Sequence, residues 1–465
     1  MPMKEQKIKT LYMAQTFHLA WPAIAEQLLL TMATYVDTAM IGSLGANATA
    51  AVAINSSTVF LVVGLLSAVG VGFSVQTAHN LGSGNLDAAR KVSLQALWGS
   101  ILFGLLVMTC CLCLSPWLPK LLGADPTILS DAQRYLFFYS LGLPLQSALA
   151  VFSAILRCAK DTRTPLLLNT GANLLNVVLN FLLIFPDRTI TIWGHSVFIW
   201  GAGLGVSGAA IATAASVSLA GLCAILILFF RDSPVKLSFS IPLRPDSKIL
   251  CRALRLGIPV GLERVTISSG QLIMTGLVTS LGNLALAANH VAVTAEGISY
   301  LPAQGISFAA TALVGQSVGA NSPKDSRSFS SAAGWIGLWS GCLGGLFLFF
   351  LATPLAQIFS SDPAVIALAA DMLRIVAISE PLFSLSIVLS GVLRGLGNTR
   401  FPFVVVLMGM WCVRLPLALL LIGRIPTGLA GAWIAMVADL IVRGVLCYLR
   451  IRKLDFQSIC EKNNC

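Results

Sequence analysis

Long apolar runs recur along the whole chain with few polar interruptions. Each is about 20 residues long, which is enough for a helix to cross a ~30 Å hydrocarbon core. Backbone groups cannot stay unpaired in lipid, so the runs are predicted to be helices. A membrane β-barrel would instead show alternating segments of about ten residues. The pattern predicts twelve membrane-spanning helices, at roughly 16–40, 50–77, 91–115, 132–157, 165–185, 201–230, 253–279, 287–315, 328–352, 370–393, 401–422 and 428–449.

The composition agrees with a membrane protein. Of 465 residues, 56% are hydrophobic and only 11% are charged, whereas a soluble domain carries about 25% charged residues. The mean hydropathy is +0.85. The fold class is therefore predicted to be an all-α polytopic membrane protein.

The net charge of +11 does not indicate a nucleic-acid partner, because the basic residues are distributed according to membrane topology. Lys and Arg concentrate at both termini and in every second loop, while the alternate loops hold only Lys120, Arg134, Arg188 and Arg424. This is the positive-inside distribution. It predicts a multi-pass protein of a prokaryotic inner (plasma) membrane with both termini in the cytoplasm.

The second half of the chain repeats the first. "AWPAIAEQ" and "GIPVGLER" place Pro22 and Pro259 237 positions apart, and "GLPLQSALAVFSAILR" and "SEPLFSLSIVLSGVLR" place Arg157 and Arg394 at the same separation. "SLGANATAA" and "SLGNLALAA" also match at 237. "GVSGAAIAT" and "GLAGAWIAM" match at 223, so the first half carries a longer loop near "TIWGHSVFIWGAG".

The repeat predicts the domain organisation. Each half holds six spans, so both halves enter the membrane from the same side and are parallel repeats. We predict a six-helix lobe over 1–230, a polar cytoplasmic linker over 231–252, and a second six-helix lobe with a short cytoplasmic tail over 253–465. Two such lobes around a central cavity are typical of transporters that alternate access.

Several motifs resemble the multidrug and toxic compound extrusion (MATE) family over nearly the full length. They are "VDT" in span one, the pair "LRCAKDTRTP" and "LRGLGNTRFP", "EGISYLPAQGISFAATALVGQSVGA", and "GAAIAT" in span six. The resemblance implies an antiporter that expels organic, often cationic, compounds in exchange for inward H⁺ or Na⁺.

The chain departs from two branches of that family. Relatives in the NorM branch carry an acid in span seven about two turns after the proline, where this chain has Ile267; its acid is Glu263. In the DinF-like branch, span five often pairs Asn with Asp, but here both positions are amides, Asn176 and Asn180.

Asp37 is the leading candidate for ion coupling. An acid in a membrane span costs about 2.5–3.5 kcal/mol when it faces lipid, so it is expected to face a cavity or a partner. Asp37 has no acidic repeat mate, because position 274 is Met. It is predicted to bind H⁺ or Na⁺ with Asn176, Asn180 and Glu26. A purely structural hydrogen-bonding Asp37 is the alternative.

Other acids are assigned to the substrate cavity or to ion pairs. Glu263, Glu296, Glu380 and Gln271 are predicted to line the cavity. Glu26 and Glu263 are repeat mates, which also fits a shared structural role beside Pro22 and Pro259. Glu296 and Glu380 have the alternative of pairing with Arg264 or Arg414. Asp439 and Arg443, four residues apart, are predicted to form a structural ion pair.

No catalytic or cofactor signal accompanies these spans. The eleven cysteines show no metal-ligand spacing, and the glycine-rich stretches carry no P-loop lysine. We predict a protein that is not an enzyme, needs no cofactor, acts as a monomer and contacts small-molecule substrates and membrane lipids. The alternative is a lipid-linked precursor flippase or a metabolite exporter of the same superfamily.

Overall fold

The computed structural model describes residues 2–192, 195–238, 244–423 and 427–462. The first half contains α1 (Pro2–Gly42), α2 (Ala46–Gly82), α3 (Leu86–Leu114), α4 (Leu118–Leu121), α5 (Pro126–Leu141), α6 (Leu143–Cys158), α7 (Arg163–Leu183), β1 (Pro186–Ile192), β2 (His195–Ala202) and α8 (Gly205–Phe230). The second half contains α9 (Ser247–Thr279), α10 (Asn283–Ser299), α11 (Leu301–Gly319), α12 (Pro323–Phe350), α13 (Ala352–Phe359), α14 (Pro363–Ala377), α15 (Glu380–Gly395), α16 (Arg400–Leu407), a π-helical turn (Met408–Arg414), α17 (Leu415–Gly423), α18 (Leu429–Arg452) and α19 (Phe456–Lys462).

Most of the predicted spans are single long helices. Among the described residues, seven helical segments are long and apolar enough to cross a membrane, and two bent helix pairs raise the number to nine. The helices α1 and α9 and the consecutive pair α10 and α11 cover the three remaining predicted spans.

Two of the predicted spans are sharply bent where one helix ends and the next begins, and the two bends are related by the repeat. The pair α5 and α6 bends by 53°, and the pair α14 and α15 bends by 59°. The second helix of each pair has proline near its start, at Pro144 and Pro381. Proline lacks an N–H and clashes with the preceding turn, so it begins a helix more readily than it continues one.

A two-stranded antiparallel hairpin fills the extra loop of the first half. β1 pairs with β2 from Ile192 opposite His195 back to Pro186 opposite Ala202, with an irregularity near Pro186. The four consecutive β-branched residues of "TITI" suit a strand. The sequence predicted only that this loop is longer than its counterpart.

The helices pack as two lobes that meet most closely at one end. That end, which we call the basic end, carries the start of α1, the helix α19 and the loops with Lys160, Arg231 and Arg400. There the close pairs are α1 with α11 and α2 with α9 and α11. Gly305 of α11 packs directly against the backbone of Ile24 in α1. A Cβ atom added to Gly305 would lie only 2.6 Å from the Ile24 backbone nitrogen, so a larger residue would push the two helices apart.

Side chains also connect the lobes near the basic end. His79 Nε2 lies 2.9 Å from the Gly395 carbonyl, and Gln316 Nε2 donates to the Cys158 carbonyl at 2.7 Å. The Tyr12 hydroxyl donates to Asp325. Toward the other end, Tyr35 provides a cross-lobe hydrogen bond, to the Thr294 carbonyl at 3.4 Å. Among the described residues, the cross-lobe hydrogen bonds thus concentrate at the basic end.

Candidate functional site

Three helices of the first lobe bring polar groups to Asp37. Asp37 lies half-buried on α1, and Asn180 Nδ2 on α7 donates to its Oδ1 at 2.6 Å. Asn176, one turn earlier on α7, is also buried. Its amide suits its surroundings with the nitrogen toward Asp37, where it donates to Oδ1 at 2.6 Å. In that orientation its oxygen accepts from the Thr213 hydroxyl of α8 at 3.1 Å.

This arrangement leaves oxygen atoms available to a small cation. Asn180 Oδ1 is buried and has no hydrogen-bond partner among the described residues. Asp37 has no ion-pair partner there either. Carboxylate, amide and hydroxyl oxygens are the ligands that hard cations prefer. The same carboxylate can instead take up a proton, so the geometry serves H⁺ or Na⁺.

Two further amides of the first lobe, Asn55 and Asn173, have different partners. Asn55 is buried and donates to the carbonyls of Ala51 and Ala132, each at 3.0 Å. Asn173 donates to the Leu29 carbonyl at 3.5 Å.

Glu26 is not in this cluster, although it was predicted with Asp37. The two acids lie eleven residues apart on α1, about 16 Å along the helix. Both Glu26 oxygens accept from Arg157 Nη1, at 2.9 and 2.8 Å, and one also accepts from Asn169 Nδ2 at 2.9 Å. The Arg157 guanidinium stacks on the Phe308 ring of α11, 4.5 Å from its centroid. Glu26 therefore contributes to the packing between α1, α6 and α7.

Glu263 makes the repeat-related contact in the second lobe. Arg394 Nη2 donates to both of its oxygens, at 2.9 and 3.0 Å. Because Arg394 is the repeat mate of Arg157, the structure contains one ion pair twice. Predicted to line the substrate cavity, Glu263 is buried against this arginine.

Glu296 and Glu380 form an acidic pair in the second lobe. Both are buried, and they interact electrostatically with each other and with Tyr300. Glu380 begins α15 at the bend, and neither of its oxygens has a hydrogen-bond partner within the described residues. For the described part of the chain, neither acid forms an ion pair with Arg264 or Arg414. Glu296 nevertheless interacts electrostatically with Arg414, whereas Glu380 interacts with Glu296 and not with an arginine in the described residues. A buried acid in the position of Glu380 suits a cationic ligand.

Asp439 is held by two arginines. Arg443 donates to it twice at 2.6 Å, and Arg414 Nε lies 3.0 Å from its Oδ2. Gly409 in the π-helical turn faces Asp439, where a Cβ would collide with the carboxylate. The predicted pair is thus a three-residue cluster of α18 and the π-helical turn.

Gln271 lines a small cavity beside this cluster. The cavity, of about 20 Å³, lies between α9, α10 and α18 and is also bordered by Arg414, Asn289 and Trp433. The structure thus separates the predicted cavity residues: Glu296 and Glu380 interact, Gln271 lies near Arg414, and Glu263 pairs with Arg394.

Sequence reasoning did not select Thr213, Arg157, Arg394 or Asn169. Thr213 stands at the end of "GAAIAT", and its repeat counterpart is Met436. That asymmetry is the signal that also marks Asp37, and it could have identified Thr213. The arginines end the repeated "ILR" and "VLR", so their shared pairing with the repeated glutamates was visible as well.

Comparison with known proteins gives matches over most of the chain. The MatE family model matches residues 22–182 and 259–420, once in each half. A probable multidrug resistance protein NorM of Thermotoga maritima is 31% identical over 92% of this chain and 89% of its own. The multidrug resistance protein PmpM of Pseudomonas aeruginosa is 26% identical over 94% of this chain and 90% of its own.

Solved structures share the fold. The outward-facing structure of a multidrug resistance MATE family transporter of the MOP superfamily aligns with a TM-score of 0.87 at 21% identity, covering 97% of both chains. A MOP superfamily transporter from Pyrococcus furiosus, whose binding pocket is described as having reversed polarity, aligns with a TM-score of 0.87 at 21% identity, covering 95% of both.

The repeated lobes and the polar cluster inside the membrane define a multi-pass membrane transport protein. The two-fold match of the family model specifies it further: the chain belongs to the MATE family. The predicted fold class, an all-α membrane protein of twelve helices in two lobes, is confirmed. The exact lobe and linker boundaries stay predictions.

Proposed function

We propose that this protein is a secondary antiporter that exports lipophilic organic cations in exchange for H⁺ or Na⁺. The proposal rests on the surroundings of Asp37, which differ from those of the other acids in the spans. Glu26, Glu263 and Asp439 each have an arginine partner, but Asp37 accepts hydrogen bonds from two amides and forms no ion pair with an arginine or lysine among the described residues. A carboxylate kept without a fixed counter-charge can exchange its cation during transport.

The charge of the proposed substrate is inferred from the acids of the second lobe. Glu296 and Glu380 are buried without an arginine in ion-pair contact among the described residues, which favours a positively charged, apolar substrate. The multidrug names of the relatives NorM and PmpM are consistent with such cargo. We place the basic end in the cytoplasm of an inner membrane, following the positive-inside rule, and take one chain with its two lobes as the transport unit.

The test uses the purified full chain in proteoliposomes with an internal pH dye and a pre-formed proton gradient. Ethidium is added with and without Na⁺, for the parent and for Asp37→Asn. We expect ethidium to dissipate the gradient in the parent and not in Asp37→Asn. Transport that requires a Na⁺ gradient and is lost in Asp37→Asn would assign Na⁺ as the coupling ion.

Asp232→Asn is the matched control, because it makes the same change at an exposed acid that pairs with Lys236. It should transport like the parent. Equal transport by Asp37→Asn and the parent would refute the role of Asp37. No ethidium response under either gradient would refute cationic cargo and favour the flippase alternative.

A further inference from the structure

A cavity of about 570 Å³ opens at the basic end of the first lobe, away from Asp37. The middle of α1 forms one wall, with His18 and Trp21. The loop between α6 and α7 forms a second wall, and the segment after α8 forms the third. Neither the coupling site nor the acidic pair of the second lobe borders this cavity.

The walls of the cavity contain three basic side chains, Lys160, Arg163 and Arg231, and two acids, Asp161 and Asp232. Lys160 and Arg163 are exposed, and neither belongs to an ion pair among the described residues. Arg231 is held at the rim, with Nη1 3.0 Å from Asp161 Oδ2 and 2.8 Å from the Thr164 hydroxyl. The carboxylate of Asp232 is engaged by Lys236 at 2.8 Å. Two basic side chains therefore remain available to an anion.

Apolar side chains flank the same cavity. Trp21 on α1 is 58% exposed and Leu167 on α7 is 70% exposed. Both helices belong to predicted membrane spans, so these side chains lie where lipid is. Tryptophan is enriched at the level of lipid headgroups. The cavity therefore joins a cationic wall to an apolar flank, which suits a ligand with an anionic group and a hydrocarbon tail.

The backbone conformation of Lys160 matches that of its repeat mate, which is a glycine. Lys160 has φ 65°, and its repeat mate Gly397 has φ 79°. The two loops make the same hydrogen bonds, from Lys160 to the Arg157 carbonyl and from Gly397 to the Arg394 carbonyl, each at 3.0 or 2.9 Å. Glycine adopts this left-handed conformation without the strain that a Cβ introduces. Loop geometry alone thus favours glycine, so the lysine side chain is not needed to form this turn.

We propose that this cavity binds one anionic phospholipid of the adjacent leaflet. Its phosphate contacts Lys160 and Arg163, and its acyl chains follow Trp21 and Leu167. Basic pockets between membrane helices on the cytoplasmic side bind anionic headgroups in this way. A soluble phosphate compound has the same anionic group as the headgroup but no hydrocarbon chain to contact the apolar flank. The bound lipid also contacts the wall that contains Pro22, where α1 carries its internal proline.

The experiment is native mass spectrometry of the full chain in detergent micelles, titrated with phosphatidylglycerol or phosphatidylcholine. We expect one phosphatidylglycerol to be retained in preference to phosphatidylcholine. Lys160→Gly and Arg163→Gln should each lower the apparent affinity for phosphatidylglycerol about fivefold, since each removes one basic contact.

Two controls separate binding from folding. Lys160→Gly installs the residue of the repeat mate and removes left-handed strain, so its melting temperature should not fall below that of the parent. Arg400→Gln makes the same change as Arg163→Gln at the repeat mate of Arg163, and it should leave phosphatidylglycerol affinity unchanged.

Three outcomes would overturn the proposal. The first is undiminished phosphatidylglycerol affinity in both cavity variants. The second is retention of phosphatidylcholine as strong as that of phosphatidylglycerol. The third is displacement of phosphatidylglycerol by sn-glycerol 3-phosphate at equal concentration, which would assign the cavity to a soluble phosphate ligand.

Discussion

At the scale of single residues, carboxylates in the spans differ mainly in their partners. Glu26, Glu263 and Asp439 are bound by arginines, and Asp37 is bound by neutral donors. Amides hydrogen-bond a carboxylate without supplying a counter-charge, so the proposed coupling residue has no fixed cationic partner. This difference, rather than burial, separates the proposed coupling residue from structural acids.

Thr213 is predicted to support the coupling site through Asn176. Thr213→Ala removes the hydroxyl that donates to the Asn176 oxygen, so the amide can turn away from Asp37. We expect Thr213→Ala to need a higher concentration of the coupling cation than the parent to reach half-maximal transport. Thr213→Ser keeps the hydroxyl and should behave like the parent in the same proteoliposome assay. Equal impairment of both variants would show that the threonine methyl group, not the hydroxyl, matters.

Asp125 gives a pH-dependent prediction outside the membrane. It caps the N-terminus of α5, and the hydrogen bonds from the Thr127 backbone N–H and hydroxyl hold the pKa of its carboxyl below the usual 3.8. A lowered folded-state pKa stabilises the protein above pH 3.8, and this contribution is lost as the pH falls through the folded value.

Asp125→Asn isolates that contribution, because asparagine also caps helices but carries no charge. We expect the parent to melt at a higher temperature than Asp125→Asn near neutral pH. The difference should shrink as the pH is lowered to about 3, measured by differential scanning fluorimetry. A difference that does not change with pH would contradict the assigned cause.

At the scale of elements, each lobe places one ion pair beside a proline-containing helix. Arg157 at the end of α6 reaches Glu26 on α1, and Arg394 at the end of α15 reaches Glu263 on α9. Pro22 and Pro259 precede these glutamates by four residues. The pairs therefore fix two long helices to the bent spans at equivalent places in both lobes.

Breaking one of these ion pairs should lower the free energy of unfolding substantially. Glu263→Gln leaves Arg394, whose side chain is only 14% exposed, without its counter-charge, so we expect a loss of about 3–5 kcal/mol in the free energy of unfolding. The double variant Glu263→Gln with Arg394→Gln should lose less than the two single variants together, since the residues are coupled. Tryptophan fluorescence during denaturant unfolding in micelles measures both.

The exposed pair Asp371 and Arg374, 3.0 Å apart, is the control for that measurement. Asp371→Asn should cost less than about 1 kcal/mol, because exposed pairs contribute little. Additive losses in the Glu263 and Arg394 double variant would show that the two residues do not stabilise each other.

At the scale of the whole molecule, the structure has its lobes joined at the basic end. Cys158 reports on this contact, because it is buried and packs in a core cluster with Ala310 and Leu313 of α11. Alternating access requires this contact to open at one stage of transport. The reactivity of the Cys158 thiol therefore measures how often the basic end opens.

Weakening the contact should expose Cys158. His79→Ala removes the hydrogen bond to the Gly395 carbonyl, worth about 1 kcal/mol, so we expect about fivefold faster maleimide labelling, located by peptide mass spectrometry. Gly319→Ala should act in the same direction, since its Cβ would collide with the His79 carbonyl.

Two internal comparisons control for loosened packing. Gly276→Ala, with no neighbour within 4 Å of the added Cβ, should leave Cys158 labelling unchanged. Cys447, buried inside the second lobe beside Ser386, should stay unlabelled in every variant. Labelling of Cys447 together with Cys158 would indicate partial unfolding instead of lobe opening.

The sequence by itself determined the elements and their duplication. Long apolar runs require helices in lipid, and the separation of 237 residues between Pro22 and Pro259 relates the two halves without any structure. The spacing of Asn176 and Asn180 also placed both amides on one helical face, and Asp37 was set apart by its missing mate. These features are local or periodic, so they can be counted along the chain.

Only the tertiary structure decided which of those polar groups meet. It placed Asn176 and Asn180 on Asp37, directed Glu26 to Arg157, and left Glu380 without an arginine partner in the described residues. It also bent two spans that the hydropathy pattern left continuous. Partner choice depends on how helices distant in sequence cross and rotate, and a burial pattern constrains which face of a helix is apolar but not which neighbour that face meets.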